Sequence, residues 1–472
     1  MTEDEAVSHI GDDFSAEYGF YSHLPLVVID TRGIELIPSR SSGYLEGVEL
    51  SVMDQGLGNN RLSDEPVFRS FIRIRMKDGD NKKGHFSFTL TESSGAETEM
   101  PLLGMNSGSG WILNGSIRDS SLMRNYLAYC LAGELMPDTP NTRFCEVFFR
   151  EGEKYHYQGV FLLNEDVRPA AVLGNFSRKR DNKISKEYIV LRDRNTANGF
   201  MLDTWGYRQG IIDSRLSLIY PKENNIEAGR FIEINMDKAE KIIYSEEHKV
   251  FARYSDIIDI KSFVDYFVLS EFLQNYNAGF ESTYMYVNSK GKIKLGLVWD
   301  SDCILGNNYP ESFNPLNITV QNAPLFEQLT RDINFLNHLK SRYSELRRSF
   351  LAEDEVIRLI DETAAYLGPA QIRDWKRWAR EYSGTAELVF PQPGPLGTEE
   401  IPVRINSVTF DQELIKMKYL SVLHANILGD SLHRMGWKEN LFDSSYNTRS
   451  STVLLVLFCF LYVAAVYIGR YH

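Results

Sequence analysis

Alternating apolar and polar positions dominate the first part of the chain, from Leu24 to about Val190. A period of two residues indicates strands with one buried face, and short polar segments between the apolar runs indicate that neighbouring strands pair directly. The strands predicted in this way are PLVVID, FIRIRM, HFSFTL, FCEVFFR and YHYQGVFLL. We therefore expect an antiparallel meander, with its last two strands joined as a hairpin across EGEK.

Helical spacing replaces this alternation in several later segments. One predicted helix, from Ser120 to Leu135, interrupts the strands, and Asp119 is placed to cap it. After about Glu223 helical patterns prevail, first over Lys261 to Gln274 and again from Pro324 to Arg380. A second hairpin, STYMYV with KIKLGLVWD, lies between these helices. The expected fold class is α+β, with an antiparallel N-terminal sheet and a helix-rich C-terminal part.

The C-terminal end has a different character. Val453 to Ile468 is an unbroken apolar or aromatic run, with Arg449 before it and Arg470 after it. A run of about 16 residues spans roughly 24 Å, which is short for a bilayer but sufficient if the arginines snorkel. We expect a single-pass C-terminal membrane anchor over residues 451–472, rather than a buried core helix. Positive charge on both flanks leaves the side of the membrane open.

Composition narrows the possible functions and the domain organisation. The chain has 472 residues, 43% of them hydrophobic, and a formal charge of -13. Such a chain buries a large core, and its acidic surface argues against nucleic acid as the main partner. Its four cysteines fall in no spacing typical of zinc sites or disulfide frameworks. Residues 1–23 are interpreted as a polar extension and 431–450 as a juxtamembrane linker; nothing in the pattern indicates the oligomeric state.

The clearest chemical signal is the sequence WDSD at the end of a predicted strand. Asp300 and Asp302 are two residues apart, so a strand terminus can direct both carboxylates at one divalent ion. A solvated turn is the plainer interpretation of the same pattern. Asn277 lies earlier, in the polar loop between an apolar helix and the hairpin that leads to Asp300. Protein kinases build their catalytic loop and magnesium site in this order.

A kinase-type site also needs a lysine on an earlier sheet. Lys83 starts the strand KGHFSFTL, and Glu165 closes the strand GVFLLNE. An ion pair between them would position the lysine on nucleotide phosphates, although each residue taken alone is equally a surface charge at a strand end. His85 and His156 lie within strand patterns and are interpreted as packing or surface residues rather than ligands.

Several segments, in this order, resemble the CotH kinase family. The lysine strand KGHFSFTL, the stretch YHYQGVFLLNEDV and the block from FVDYF to WDSDCILGN are similar to family motifs. The segment LLGMNSGSGWILNGSIRDSSLMRN is similar as well, and its Asp119, Arg124 and Asn125 match family positions. The resemblance extends over residues 24–430, and it implies one two-lobed, kinase-like domain there.

The resemblance also implies an activity, that of an atypical kinase that uses ATP and Mg2+ or Mn2+ to phosphorylate proteins on Ser or Thr. Lys83 and Arg75 would then contact the nucleotide, and Glu165 would pair with the lysine or help to hold metal. Asp300 would be the principal metal ligand, with Asp302 as a further one. The expected partners are a protein substrate or another protein, with the membrane reached through the C-terminal helix.

Two positions depart from the family pattern. Asn277 stands where the family usually has Asp, and an amide can orient a hydroxyl but cannot accept its proton. In place of the family's Arg-Gly-x-Ser, this chain has Arg75 followed by MKDGD, where Gly79 is an imperfect substitute. Two functions therefore remain open. One is a working kinase with Asn277 and Lys83 at its catalytic centre, and the other is a pseudokinase or nucleotide-binding scaffold or surface interaction protein with weak or no catalysis.

Overall fold

The fold is given by a computed structural model, in which parts of the chain are described. The described residues are 9–33, 37–38, 43–56, 59–76, 83–115, 117–167, 187–193, 200–221, 226–287, 291–307, 314, 316–382, 387–394, 397–404 and 409–435. For 387–394 and 397–404 the description covers the backbone alone. The predicted anchor over 451–472 and the glycine-bearing segment 78–80 lie outside the described residues.

The N-terminal strands form a sheet that closes on itself. The first ten strands are β1 (Ser15–Ala16), β2 (Tyr21–Ser22), β3 (Leu26–Asp30), β4 (Leu45–Met53), β5 (Asn60–Arg61), β6 (Phe68–Met76), β7 (His85–Thr91), β8 (Gly110–Asn114), β9 (Thr142–Glu151) and β10 (Lys154–Glu165). The sheet has the order β1-β10-β8-β7-β6-β4-β3-β9, and β9 also pairs with β10 along their hairpin. Within the described residues, seven strands from β10 round to β9 thus close into a cylinder.

The antiparallel meander predicted for this region is wrong, because β3 pairs in parallel with β9 and the sheet has closed. Burial of β3 explains the difference. Val27 and Ile29 pack inside the cylinder, while Leu26 and Val28 pack against a second apolar cluster on its outside. A strand buried on both faces belongs between two neighbours rather than at an edge, so β3 lies between β4 and β9.

A second sheet and the helices follow. The sheet has the order β12-β13-β11-β14-β15, with β11 (Tyr188–Arg192), β12 (Phe200–Leu202), β13 (Leu216–Tyr220), β14 (Thr283–Val287) and β15 (Ile293–Leu295). A hairpin comprises β16 (Glu387–Gly394) and β17 (Gly397–Arg404). The helices are α1 (Arg124–Gly133), α2 (Trp205–Arg208), α3 (Ile226–Ile243), α4 (His248–Phe251), α5 (Tyr254–Ile257), α6 (Ile260–Phe272), α7 (Phe326–Leu329), α8 (Ile333–Leu346), α9 (Glu353–Tyr382) and α10 (Phe410–Arg434).

The predicted fold class, a two-lobed α+β kinase-like domain with a membrane helix, is therefore corrected to a mixed α/β protein built on a closed cylinder. The described residues up to His433 belong to one compact unit. Closure could not be inferred from alternation alone, because each strand's pattern is the same in an open sheet and in a closed one.

The predicted membrane anchor also needs correction. Among the residues that the structure describes, no helix combines the length and the apolar character needed to cross a bilayer. The two longest helices, α9 and α10, carry charged side chains along their length, and hydrocarbon excludes such groups. The single-pass C-terminal anchor and the membrane localisation derived from it are therefore not supported.

Helix α9 is fixed to the cylinder by two buried ion pairs. Arg373 donates from Nε and Nη2 to the carboxylate of Glu146 on β9, at 2.8 and 2.6 Å. One residue further, the Oδ2 of Asp374 lies 2.6 Å from the Nζ of Lys83 and also accepts the Val160 amide of β10 at 2.7 Å. Both contacts lie on one turn of the helix, so this turn holds together two strands of the cylinder, β9 and β10, and the segment that leads into β7.

We expect Arg373→Met to lower the free energy of unfolding by about 3–5 kcal/mol, because the substitution leaves the buried Glu146 carboxylate without its counter-ion. Urea unfolding followed by circular dichroism measures the change. Arg358→Met is the matched control in the part of α9 that precedes its kink at Gly368, since that guanidinium is 58% exposed and its ion pairs are worth less than about 1 kcal/mol. Equal losses in the two variants would contradict the role given to Arg373.

Candidate functional site

The outer face of the cylinder carries a small polar cavity between β7, β8 and β10. Phe86, Leu113 and Leu163 point into the cylinder core, so their strand neighbours point outward. Cross-strand pairing places His85 opposite Asn114 and Asn164 opposite Ile112. The cavity, of about 80 Å3, is lined by His85, Ile112, Asn114, Tyr129, Asn164, Trp299 and Asp300.

Three side chains, two of which line this cavity, bring together donor atoms that suit a metal ion. One donor atom each from His85, Asp300 and Asp302 lies within 4.8 Å of the other two. Asp300 is exposed and Asp302 is buried. Both carboxylates were predicted to bind metal, and the structure brings them together; His85 joins them from β7. Two carboxylates with an imidazole are a plausible ligand set for a divalent ion.

The loop that carries the two carboxylates has an unusual backbone. Strand β15 ends at Leu295, earlier than the predicted strand, because Leu297 adopts a left-handed conformation with φ 65° that cannot continue a strand. Asp300 has φ 55° and Leu305 has φ 48°. Left-handed conformations at residues other than glycine cost on the order of 1–3 kcal/mol and concentrate at functional sites. The surrounding contacts must therefore hold this loop in place.

Two consecutive residues at the start of α1 provide those contacts. The Oδ1 of Asn125 accepts the Ser301 amide at 2.7 Å, between the two carboxylate residues. Arg124 donates from Nε to the Ile304 carbonyl at 2.7 Å and from Nη2 to the Leu305 carbonyl at 3.1 Å. Both side chains are buried. The loop is thus pinned at its centre and at its far end by one helix.

The charge of Arg124 is balanced from two sides. Its Nη1 lies 2.7 Å from the Oδ1 of Asp119, and its Nη2 pairs with Glu413 on α10. Burial opposes the charge, but Glu413 and Asp119 outweigh it and raise the pKa of Arg124 above its ordinary value. Arg124 and Asn125 match family positions, and in the structure both bond the backbone of the carboxylate loop.

The predicted helix from Ser120 begins instead at Arg124. Leu122 adopts a left-handed conformation with φ 65°, which interrupts the helix before its expected start. Asp119 accepts the Ser121 amide at 3.0 Å and the Arg124 amide at 2.9 Å. Its carboxylate therefore closes the turn that leads into the helix and also pairs with Arg124.

Asn277 lies in the turn after α6, half-buried. Its backbone amide donates to the Oδ1 of Asn275 at 3.2 Å. The turn is joined to the carboxylate loop, because the Leu305 amide donates to the Leu273 carbonyl at 3.0 Å. The group of three donor residues within the described part of the chain does not include Asn277, so its catalytic role stays a prediction.

The predicted lysine and glutamate have different partners in the structure. The Nζ of Lys83 donates to Asp374 at 2.6 Å and to the Tyr382 hydroxyl at 2.9 Å, and its side chain is 1% exposed. Burial lowers the pKa of Lys83, and the carboxylate of Asp374 restores only part of the shift. Glu165 accepts the Asn106 amide at 2.8 Å and the Asn141 side chain at 3.2 Å. Lys83 thus pairs with Asp374, and contact of Lys83 with phosphate stays a prediction.

Arg75 lies on the same outer face as the cavity. Its Nε donates to the Ser87 hydroxyl at 3.3 Å, and its guanidinium stacks 4.4 Å from the centre of the Tyr44 ring. Ser87 pairs with Arg75 on one side and with Ile112, a lining residue, on the other. Arg75 thus lies on the strand next to β7, which carries the lining residue His85, and its contact with nucleotide also stays a prediction.

Among the polar lining residues, sequence reasoning interpreted His85 as a packing or surface residue and did not single out Asn164. Each was one polar residue in an otherwise ordinary strand pattern. The signal that could have found them is that both, with Asn114, fall on the outward positions of their strands. Using that signal requires knowing that β7, β8 and β10 are neighbours, and β8 and β10 are separated by α1 and β9 along the chain.

Comparison with known proteins places the predicted site within a recognised family region. The family model described as CotH kinase protein matches residues 74–389. Every predicted site residue lies inside this stretch, from Arg75 to Asp302. A search of curated proteins found no match.

We expect Asn125→Leu to accelerate amide hydrogen exchange over residues 297–307 by roughly 5- to 10-fold, because it removes the acceptor of the Ser301 amide, a bond worth about 1 kcal/mol. Exchange followed by mass spectrometry on peptides measures the effect. Asn235→Leu is the control, since the Asn235 side chain bonds only a carbonyl of its own helix, that of Phe231, at 2.9 Å. An unchanged exchange rate over this loop in Asn125→Leu would contradict the positioning role of Asn125.

The environment of Lys416, next to the ion pair of Arg124 with Glu413, predicts that the stability of the protein depends on pH. Its Nζ lies 2.8 Å from the Oε1 of Glu413; burial and the charge of Arg124 lower its pKa to about 8, although Glu413 opposes them. Between that pH and the ordinary value of 10.5, the unfolded chain binds more protons than the folded one. The free energy of unfolding should therefore rise with pH in this window.

The measurement is urea unfolding from pH 7 to 10.5 in the wild type and in Lys416→Met. The wild type should gain on the order of a few kcal/mol relative to the variant as pH rises. Lys418→Met is the control, because the ammonium of Lys418 pairs with Asp361 at the surface, and we expect it to follow the wild type. A constant difference between wild type and Lys416→Met would refute the assignment.

Proposed function

The chain belongs to the CotH kinase family, and on that basis we propose that it transfers the γ-phosphate of ATP to Ser or Thr side chains of a protein, with a divalent ion, Mg2+ or Mn2+. The observation that carries this proposal is the convergence of Asp300 and Asp302 on a strained loop beside an open cavity. A divalent ion bound there would neutralise charge on the phosphoryl oxygens.

The residues of the chain would position the reactants. Asp300 and Asp302 would hold a divalent ion that balances charge on the nucleotide phosphates, and Asn125 and Arg124 bond the backbone of their loop. The substrate hydroxyl oxygen attacks the γ-phosphorus, the bond to the β,γ-bridging oxygen breaks, and ADP leaves. The Asn277 amide can orient that hydroxyl but cannot take its proton, so the proton leaves to phosphate or water.

A second candidate function is nucleotide binding without transfer. It is favoured by Asn277, which lacks the carboxylate of the family position, and by Lys83, whose ammonium is engaged with Asp374 and Tyr382. A protein of this kind would act as a scaffold for a protein partner and keep the metal-binding loop for structural reasons. The two candidates differ in a single measurable step, the transfer of phosphate.

We expect Asp300→Asn to reduce phosphate transfer from radiolabelled ATP by at least about 100-fold, because it removes charge that holds the ion. Asn tolerates the left-handed backbone of position 300, so the fold should be retained. Autophosphorylation and transfer to a generic Ser/Thr protein substrate are measured on the full chain, with Mg2+ or Mn2+. Asp256→Asn is the matched control, since that carboxylate is 66% exposed and pairs with Arg253.

Asn277→Asp separates the two candidates. A working kinase limited by its missing base should gain about 10²-fold or more, the usual contribution of a general base. If the wild type binds ATP in calorimetry without transfer, and Asn277→Asp gains transfer, the chain is a pseudokinase. Transfer by Asp300→Asn at the wild-type rate would contradict the proposed site, and absence of nucleotide binding in the wild type would contradict both candidates.

A further inference from the structure

His85 contributes a nitrogen donor to a site that was expected to contain carboxylates alone. We propose that His85, Asp300 and Asp302 form a metal site with three protein ligands, which binds a divalent transition ion such as Mn2+ or Co2+ without nucleotide and prefers it to Mg2+. The inference deepens the proposed function, on which it rests for the presence of a divalent ion at Asp300.

The separation of the three donors fits a single ion. They lie within 4.8 Å of one another, whereas ligands of one ion at about 2.1 Å are about 3.0–3.4 Å apart at octahedral or tetrahedral angles. Side-chain rotations that shorten the distances by at most about 1.8 Å would therefore bring all three onto one ion. His85 is fixed on a strand of the closed cylinder, and the exposed Asp300 can approach it.

A second observation also points to a ligand in this cavity. The Oδ1 of Asn164 has no hydrogen-bond partner in the part of the chain that the structure describes, and the residue is 1% exposed. Asn164 lines the cavity beside His85 and Tyr129. A buried carbonyl oxygen needs a donor, and water bound to a metal ion is a strong one.

The donor set decides the class of ion. Mg2+ prefers oxygen ligands in near-ideal octahedral geometry and in phosphotransferases usually keeps few protein ligands besides substrate phosphates. Imidazole suits ions further along the first transition row. A site with two oxygens and one nitrogen from the protein therefore retains such an ion before nucleotide arrives.

The test is metal binding by the full, nucleotide-free chain. Co2+ is titrated and followed by its visible absorption bands, Mg2+ is added as a competitor, and Mn2+ is examined by pulsed electron paramagnetic resonance for coupling to an imidazole nitrogen. We expect one bound Co2+ per chain, little displacement by millimolar Mg2+, and nitrogen coupling in the wild type. His85→Asn should weaken Co2+ binding by at least about 10-fold, as loss of an ordering or ligating group does.

His156→Asn is the matched control, because that histidine lies on β10 with a 35% exposed side chain, and its Co2+ affinity should equal that of the wild type. Nitrogen coupling is read in the wild type, so the result does not depend on folding of a variant. No Co2+ binding without ATP, no nitrogen coupling, or equal affinity in folded His85→Asn would each overturn the inference.

The outcomes separate this inference from the proposed kinase function. Phosphate transfer that depends on Asp300, together with no metal binding before nucleotide, would overturn the three-ligand site and leave the kinase proposal standing. Metal binding through His85 without phosphate transfer would support the three-ligand site and overturn the kinase proposal.

Discussion

The guanidinium of Arg124 is the contact on which the carboxylate loop depends. It is fully buried, bonds two carbonyls of the loop and is held by carboxylates from two separate parts of the chain, Asp119 before α1 and Glu413 on α10. A buried charge of this kind contributes little net stability, but removing any one partner is costly. The arrangement therefore specifies a geometry: α1, α10 and the loop after β15 must assemble together for the charge to be satisfied.

The strain at Asp300 becomes understandable beside this anchor. A left-handed aspartate would relax in a free loop, yet here the next amide is bonded to Asn125 and the chain three residues further on is bonded to Arg124. The energy stored in the backbone is thus offset by buried polar contacts, and the carboxylate remains directed at the cavity. Lys83 takes no part in these contacts of the carboxylate loop. Its ion pair with Asp374 joins α9 to the cylinder.

Local patterns in the sequence identify much of this protein, and their limits have a physical reason. Alternation locates β6, β7, β9 and β10, and the family motifs carry the recognition that the comparison confirms. Alternation fixes which face a residue occupies along its own strand, but it does not say which strand lies next to it. The parallel pairing of β3 with β9 and the meeting of His85 with Asp300 both depend on such long-range neighbours.

Closure of the cylinder has a consequence for the chain as it leaves the ribosome. The ring is completed only when β9 joins β3 and β10 joins β8, and these are the last two strands to be made. Until then β3 and β8 each present an edge of unpaired backbone donors and acceptors. Such edges pair with strands of other chains and promote aggregation. The same strand β10 carries Asn164 to the cavity, so the strand whose pairing removes the exposed edges also supplies part of the wall of the site.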